Sequence, residues 1–412
     1  MTGVRPLRVA LPTSTFLPSL GGVEVGLHNI ASRLASRGHQ PCVMAPASNV
    51  AALRREGRSF AYRLIAFPPK TLTLTQHAPG FACWALARYF GWLQARHRFD
   101  VWHGTVGYPV GTALARFAGG RVANLVRCAG DDIQTLPEIG YGMRLDPRKD
   151  QQIRTWLPRA DRLVAISQSV ADEYRALGVD PSRIAHIPNG VELARFRTDI
   201  DRAAIRRAHG LPADRFLFLS VGRSHPKKGF SDLVRAAAVL SRLTAAPFVV
   251  AIAGKGTEAL SEEAAAAGVA EFVRPLGPVA GGPADSFAAL RMPPDALVAL
   301  YRSADAFVFP SHIETFGIAL VEAMAAGLPI VTTDAPGCRD IVAGGRWGDV
   351  VPVGADDALA AAMARLIEDP DHAARLAEKA RERACDFDWD AVVDRYIDTY
   401  RALIADHASV PV

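Results

Sequence analysis

Cysteine is scarce, and the few present form no pattern. Cys42, Cys83, Cys128, Cys338 and Cys385 are odd in number and widely spaced, which argues against both a disulfide framework and a CxxC zinc site. No run of eighteen apolar residues occurs, so no transmembrane helix is expected. The opening residues, MTGVRPLRVALP, enter a short apolar segment with neither a long h-region nor a cleavage site, and read as carrying no signal peptide. Only 22% of residues are charged while 50% are hydrophobic, which excludes a disordered, collagen-like or heptad-repeat chain. The expectation left standing is a soluble cytoplasmic protein. Its 412 residues exceed one ordinary core and fit two domains of roughly 150–200 residues each.

Charge is spread unevenly. Residues 1–200 carry 25 Lys and Arg against 14 Asp and Glu, and the remainder 22 against 28. A basic first half suits an anionic partner such as a phosphorylated acceptor, a membrane surface or a nucleic acid, and equally fits arginines decorating solvated faces.

Short apolar runs alternate with amphipathic stretches along nearly the whole chain. The first half predicts strands at Leu7–Leu11, Gln40–Ala45, Tyr62–Phe67, Val101–His103, Ala123–Val126, Leu163–Ile166 and Ile184–Ile187. Helical patterns follow most of them, such as VEVGLHNIASRLASRG, which stops at Gly38. The pattern lapses into a polar segment near Phe196–Asp214, read as a linker. It restarts with RFLFLSVGR, then strands at Phe248–Ala253, Ala306–Phe309, Ile330–Thr333 and Val350–Val353. This alternation predicts an α/β chain of two doubly wound, Rossmann-like parallel sheets facing a central cleft, with ligands at the carboxyl ends of strands.

Three segments could carry chemistry at such strand ends. In SHIETFGIALVEAMAAGLPIV, Ser311 to Val331, a strand ends at Pro310, a loop carries Glu314, and a helix starts near Phe316–Gly317 with Glu322 further inside. Its N–H groups and dipole suit a phosphate, and Gly317 lets a ligand approach the backbone. Two carboxylates beside an anion site make sense if the ligand bears hydroxyls, because carboxylates accept hydrogen bonds from a sugar or ribose diol. In SVGRSHPKKGF, Arg223 and Lys228 offer a guanidinium fork and a point charge, the pair a diphosphate needs. If that diphosphate leaves, the same cations stabilise developing charge. Gly21-Gly22-Val23-Glu24 permits close backbone approach at a helix start but lacks GxGxxG spacing, which disfavours a dinucleotide site.

Taken in order, with IPNGVE at Ile187–Glu192, these segments resemble the family 4 retaining glycosyltransferases of GT-B fold over most of the chain. The resemblance implies an acceptor domain over 1–195, with a final helix at 390–407 crossing back onto it, and a nucleotide-sugar donor domain over 213–386. It implies Arg223 and Lys228 on the donor diphosphate and Gly22 offering its amide to it. Glu322 would bind the ribose hydroxyls and Glu314 the donor sugar or developing positive charge. Thr315, Phe316, Gly317 and Ile318 would line the donor site. The expected partners are a UDP- or GDP-linked sugar and a glycan or lipid-linked acceptor, with no nucleic acid, no cofactor and no metal.

Two departures from the family pattern stand out. The usual His-x-His reads His103-Gly104-Thr105, and the Thr-x-His strand end is replaced by RCAGDD, Arg127 to Asp132. His103, Arg127 and Asp131 are therefore candidate acceptor or donor-sugar contacts, with Asp132 as a further substitute; an Arg–Asp ion pair fits Arg127 equally. DFDWD at Asp386–Asp390 imitates a metal-binding Asp-x-Asp but reads as a helix boundary. AGKGTE lacks Walker spacing. The nucleobase is expected at the loop Pro275–Pro294 and the acceptor near Gly130–Asp150. Phe81–Phe99, with Trp84, Tyr89, Phe90 and Trp92 among Arg88, Arg96 and Arg98, reads either as a helix packed on the sheet or as one lying on the inner membrane face. Alternative functions are a sugar-nucleotide epimerase on the same fold, or a non-catalytic binder of anions or membranes.

Overall fold

Strands buried on both faces read as nearly continuous hydrophobic runs, and the chain supplies thirteen of them among the residues described by this computed structural model, 5–19, 21–68, 71–279 and 293–409. They are β1 (Arg8–Pro12), β2 (Gln40–Ala45), β3 (Arg63–Ala66), β4 (Val101–Gly104), β5 (Asn124–Arg127), β6 (Arg162–Ala165), β7 (Ile184–His186), β8 (Phe216–Val221), β9 (Phe248–Ala253), β10 (Val273–Gly277), β11 (Ala306–Phe309), β12 (Ile330–Thr333) and β13 (Asp349–Val351). Seven of the helices matter below: α1 (Gly22–Ser36), α2 (Thr71–His77), α3 (Pro79–His97), α4 (Arg202–Ala208), α5 (Asp295–Ser303), α6 (Ile318–Ala325) and α7 (Trp389–Ala408). No helix among the described residues is long and apolar enough to cross a membrane.

The chain forms two compact units. Unit 1 takes residues 1–189 and 389–412, and unit 2 takes 190–388. Unit 1 is a parallel sheet in the order β3-β2-β1-β4-β5-β6-β7, and unit 2 one in the order β10-β9-β8-β11-β12-β13. β9, FVVAIA, is buried at every position. In unit 2 its Phe248, Val250 and Ile252 meet Leu233, Val234, Ala237 and Leu240 of the covering helix in one apolar core. In unit 1, α7 lies against α1: Arg37 donates to Asp394 at 2.9 Å and to Asp390 at 2.9 Å.

Two expectations need correcting. β10 was not anticipated, because its sequence VRPLG carries an arginine and a proline. It tolerates both as an edge strand with an irregular register between Pro275 and Gly277. It takes up the start of the segment expected to hold a nucleobase; residues 280–292 of that segment lie outside the described residues. The polar stretch 196–214 is not a linker. Phe196 is buried against Tyr301, and Arg206, 5% exposed, is drawn inward. It donates to the Ser303 carbonyl at 2.9 and 2.7 Å, to the Arg215 carbonyl at 3.0 Å, and to Asp305 at 2.7 Å. Asp305 in turn accepts the Leu217 N–H at 2.7 Å. Inward-facing cations that satisfy carbonyls look like solvated ones in sequence.

Arg206→Ala is expected to destabilise unit 2 by about 2 kcal/mol, since it removes the buried donors to the Ala213 and Arg215 carbonyls and leaves Asp305 only Arg202 and the Leu217 N–H. Urea unfolding followed by circular dichroism measures it. Arg206→Lys should recover little, because one ammonium cannot reproduce the fork.

Candidate functional site

Strand order fixes where a ligand can sit. In unit 2 the chain moves outward from β8 through β9 to β10, then restarts on the opposite side of β8 with β11. The loops leaving β8 and β11 therefore diverge and open a crevice beyond the strands' carboxyl ends. Unit 1 reverses in the same way between β1 and β4.

Both strand-end loops of unit 2 carry the anticipated residues. The loop after β8 turns back at Gly229, whose φ of +63° places it against β11: a Cβ there would collide with the Pro310 carbonyl. Only glycine allows that approach, and it brings Lys228 alongside the β11 loop. Lys228 Nζ bonds Glu314 Oε1 and stands 4.7 Å from the Phe309 ring centroid. Glu314 is 8% exposed. Burial alone would raise its carboxyl, but the charges of Lys228 and Lys227, with hydrogen bonds from Lys228 and Ser311, hold it below the ordinary value. Its N–H reaches the Pro336 carbonyl at 3.0 Å.

Arg223 is exposed just beyond β8. The local potential is positive: His225 is held below the usual histidine value by burial, then by Lys227, Arg223 and Lys228. Gly317, at φ +86°, caps α6 with no side-chain hydrogen bond, so no capping side chain covers the positive end of that helix's dipole. Thr315 and Phe316 are buried beneath it, Phe316 edge-on to Phe387 at 5.6 Å, while Ile318 opens the helix partly exposed. Glu322, one turn on, accepts from the Tyr301 hydroxyl at 2.8 Å. Burial pushes its carboxyl up to about 7, against the opposing pull of that bond and of Arg195. Tyr301 on α5 was missed from sequence. It sits in LVALYRS at helical spacing, indistinguishable from a core aromatic.

In unit 1, Gly22 opens α1 at the surface, and the buried Glu24 folds back toward Gly21 and accepts from Thr15 Oγ1. The three candidate contacts separate. Asp131 is exposed, but His103 and Arg127 are interior, at 0% and 1% exposure. His103 stacks on Tyr396 at 4.9 Å and shares a hydrogen bond of 2.8 Å with the Tyr400 hydroxyl, both on α7. Burial, with Arg127, pushes its pKa down to about 3. Arg127 Nη2 donates to Asn189 Oδ1, and Gly26 of α1 covers the guanidinium closely enough that a Cβ would stand 3.4 Å away. Asp132 is a backbone clamp rather than a surface carboxylate, accepting the N–H groups of Gly107, Ala129 and Gly130. Among the described residues no group of three or more His, Cys, Asp or Glu is arranged to hold a metal ion.

The family model described as glycosyl transferases group 1 matches residues 201–383, and that described as glycosyltransferase family 4 matches residues 20–195. The chain belongs to glycosyltransferase family 4. A D-inositol 3-phosphate glycosyltransferase of Acidothermus cellulolyticus is 33% identical to it over 94% of this chain and 86% of the relative. One from Catenulispora acidiphila, D-inositol 3-phosphate glycosyltransferase 2, is 32% identical over 84% and 76%. Among solved structures, a glycosyltransferase of Rickettsia africae matches with a TM-score of 0.75 at 18% identity, covering 97% of this chain and 99% of that one. Anabaena HepE, solved with UDP, matches at 0.73 and 20% identity, covering 96% and 100%. These neighbours share the fold, the two Rossmann-like parallel-sheet domains of the GT-B class.

In this family 4 enzyme, Glu322 titrates near 7 when folded and near 4.5 as an unperturbed carboxyl. The folded state thus holds a proton that the unfolded chain has lost between those pH values, and stability falls as pH rises through that window. Glu322→Gln lacks this titration. Its melting temperature should gain on wild type between pH 5 and pH 8, and a constant difference across that range would contradict the assignment.

Proposed function

We propose that this glycosyltransferase moves a sugar from a UDP- or GDP-linked donor to the hydroxyl of a glycan, lipid-linked or small-molecule acceptor, with retention at the anomeric carbon. The process served is the building of a cell-surface polysaccharide or other glycoconjugate. The observation that carries the reading is the convergence at the β8/β11 reversal. The Lys228–Glu314 pair, the exposed Arg223, the uncapped start of α6 and Glu322 all belong to the loops and helix leaving these two strands. The names of the 32–33% identical relatives support a phosphorylated cyclitol as the first acceptor to try.

In the ligand-free protein Lys228 is neutralised by Glu314. An arriving diphosphate competes for that ammonium with two charges rather than one, and Arg223 clamps it through a planar fork. Glu322, once ionised, accepts from the ribose hydroxyls. The acceptor oxygen attacks the anomeric carbon from the face the diphosphate leaves. As the carbon–oxygen bond to the β-phosphate breaks, the diphosphate takes the acceptor's proton. Arg223 and Lys228 meet charge that grows on the leaving group, and Glu314 faces the positive charge developing on the sugar. No step requires a metal ion or a cofactor. The enzyme works in the cytoplasm, in peripheral contact with the inner membrane face through its basic N-terminal unit.

The test is a thermal-shift panel of UDP, GDP, ADP, CMP and dTDP in EDTA, on wild type and Glu322→Ala. A ligand at a hundred times its Kd stabilises by about 2.7 kcal/mol, a shift of a few degrees. One diphosphate should shift wild type and not the variant, more strongly at pH 8 than at pH 6; no shift with any would overturn the donor site. Arg223→Ala and Lys228→Ala should each lower kcat about a hundredfold while changing the donor KM far less. Loss of binding without loss of turnover would remove their role in the transition state.

A further inference from the structure

α3 carries large apolar side chains on its outer as well as its inner side. Its inner arc, Ala82, Cys83, Leu86, Phe90 and Leu93, is buried in unit 1. Its outer arc carries Phe81 at 56% exposure, Trp84 at 46% and Trp92 at 57%. Together with Leu74 of α2, these are four of the seven large hydrophobics that stand exposed among the described residues. At about 100° per residue, Phe81, Trp84, Arg88, Trp92 and Arg96 fall in one stripe roughly 120° wide. The rings gather in pairs, Phe81 with Trp84 at 5.7 Å and Tyr89 with Trp92 at 5.8 Å. A helix whose inner side already fills the core has no folding reason for a second aromatic side, and exposed apolar patches mark contact surfaces.

Charge says what the partner is. From Gly57 through Phe99 there is no aspartate or glutamate, while Arg58, Arg63, Lys70, Arg88, Arg96 and Arg98 lie within it. Arg88 and Arg96 are exposed on the aromatic stripe itself. Tryptophan bodies with arginines between them fit the headgroup layer of a bilayer, rings at the acyl boundary and guanidinium groups at phosphates.

We propose that the outer face of α3, centred on Trp84, Arg88 and Trp92, lies flat on an anionic lipid surface. It sharpens the peripheral contact in the functional reading above by giving it a face and a lipid charge. It needs no residue of the donor site.

The test sediments the full chain with vesicles of phosphatidylcholine alone or with about a third phosphatidylglycerol, without nucleotide, at low and high salt. Wild type should bind the anionic vesicles at least tenfold better than the neutral ones, and lose most of that binding in high salt. Trp84→Ser/Trp92→Ser should lose binding about tenfold or more to either vesicle at unchanged melting temperature. Arg88→Glu/Arg96→Glu should abolish the preference for anionic lipid. Both variants should keep the wild-type response to nucleotide. Absence of vesicle binding by wild type, or binding that both variants retain, overturns the proposal. So does a concentration-dependent dimer that the tryptophan variant abolishes, which would give the face to a second copy of the chain. A chain that binds vesicles but responds to no nucleotide keeps this inference and defeats the donor reading instead.

Discussion

The bond between Lys228 and Glu314 links the strand-end loops of β8 and β11, the two strands between which the sheet of unit 2 reverses. A buried carboxylate is tolerable only with a partner, so the position of Glu314 presupposes Lys228. The position of Lys228 presupposes Gly229, because no side chain fits between that turn and Pro310. Gly337 closes the other side, backed onto the Glu314 carbonyl at φ +80°. Backbone contacts between loops thus hold the two charges in register before any ligand arrives. The pair also keeps each of the two charges from being buried alone.

Glu322 follows the opposite rule. It has the hydroxyl of Tyr301 for company and the pull of Arg195, but burial outweighs both and leaves its carboxyl balanced near neutrality. The two glutamates of one loop-and-helix segment therefore differ in kind. Glu314 is held toward its ionised form by its lysine partners, whereas Glu322 is poised to gain or lose a proton. Unit 1 treats its buried ionisable groups differently again: His103 is kept neutral between two tyrosines, and Arg127 is held by the amide of Asn189.

Much of this was legible in the sequence because parallel strands announce themselves as unbroken apolar runs. Gln40–Ala45, Phe248–Ala253, Ala306–Phe309 and Ile330–Thr333 occur as expected to the residue. The loop residues around Glu314 were legible because glycine, carboxylate and strand end coincide there. What escaped was whatever depends on facing direction. Arg206 of the 196–214 stretch points inward to carbonyls, Arg127 and His103 point inward beneath helices, and Tyr301 reaches a carboxylate from a different helix. Residue type carries polarity, but which way a polar side chain points is decided by neighbours distant in the chain.

The partners of His103 come from nearly three hundred residues away, since Tyr396 and Tyr400 belong to α7. Unit 1 is therefore spliced from both ends of the chain, with all of unit 2 inserted between. During synthesis the second unit can close its core as soon as its last strand and covering helices emerge. The first must wait, its imidazole and the neighbouring helix surfaces uncovered, until α7 has been made. The part of unit 1 that is translated first is therefore completed only after the whole of unit 2 has been made.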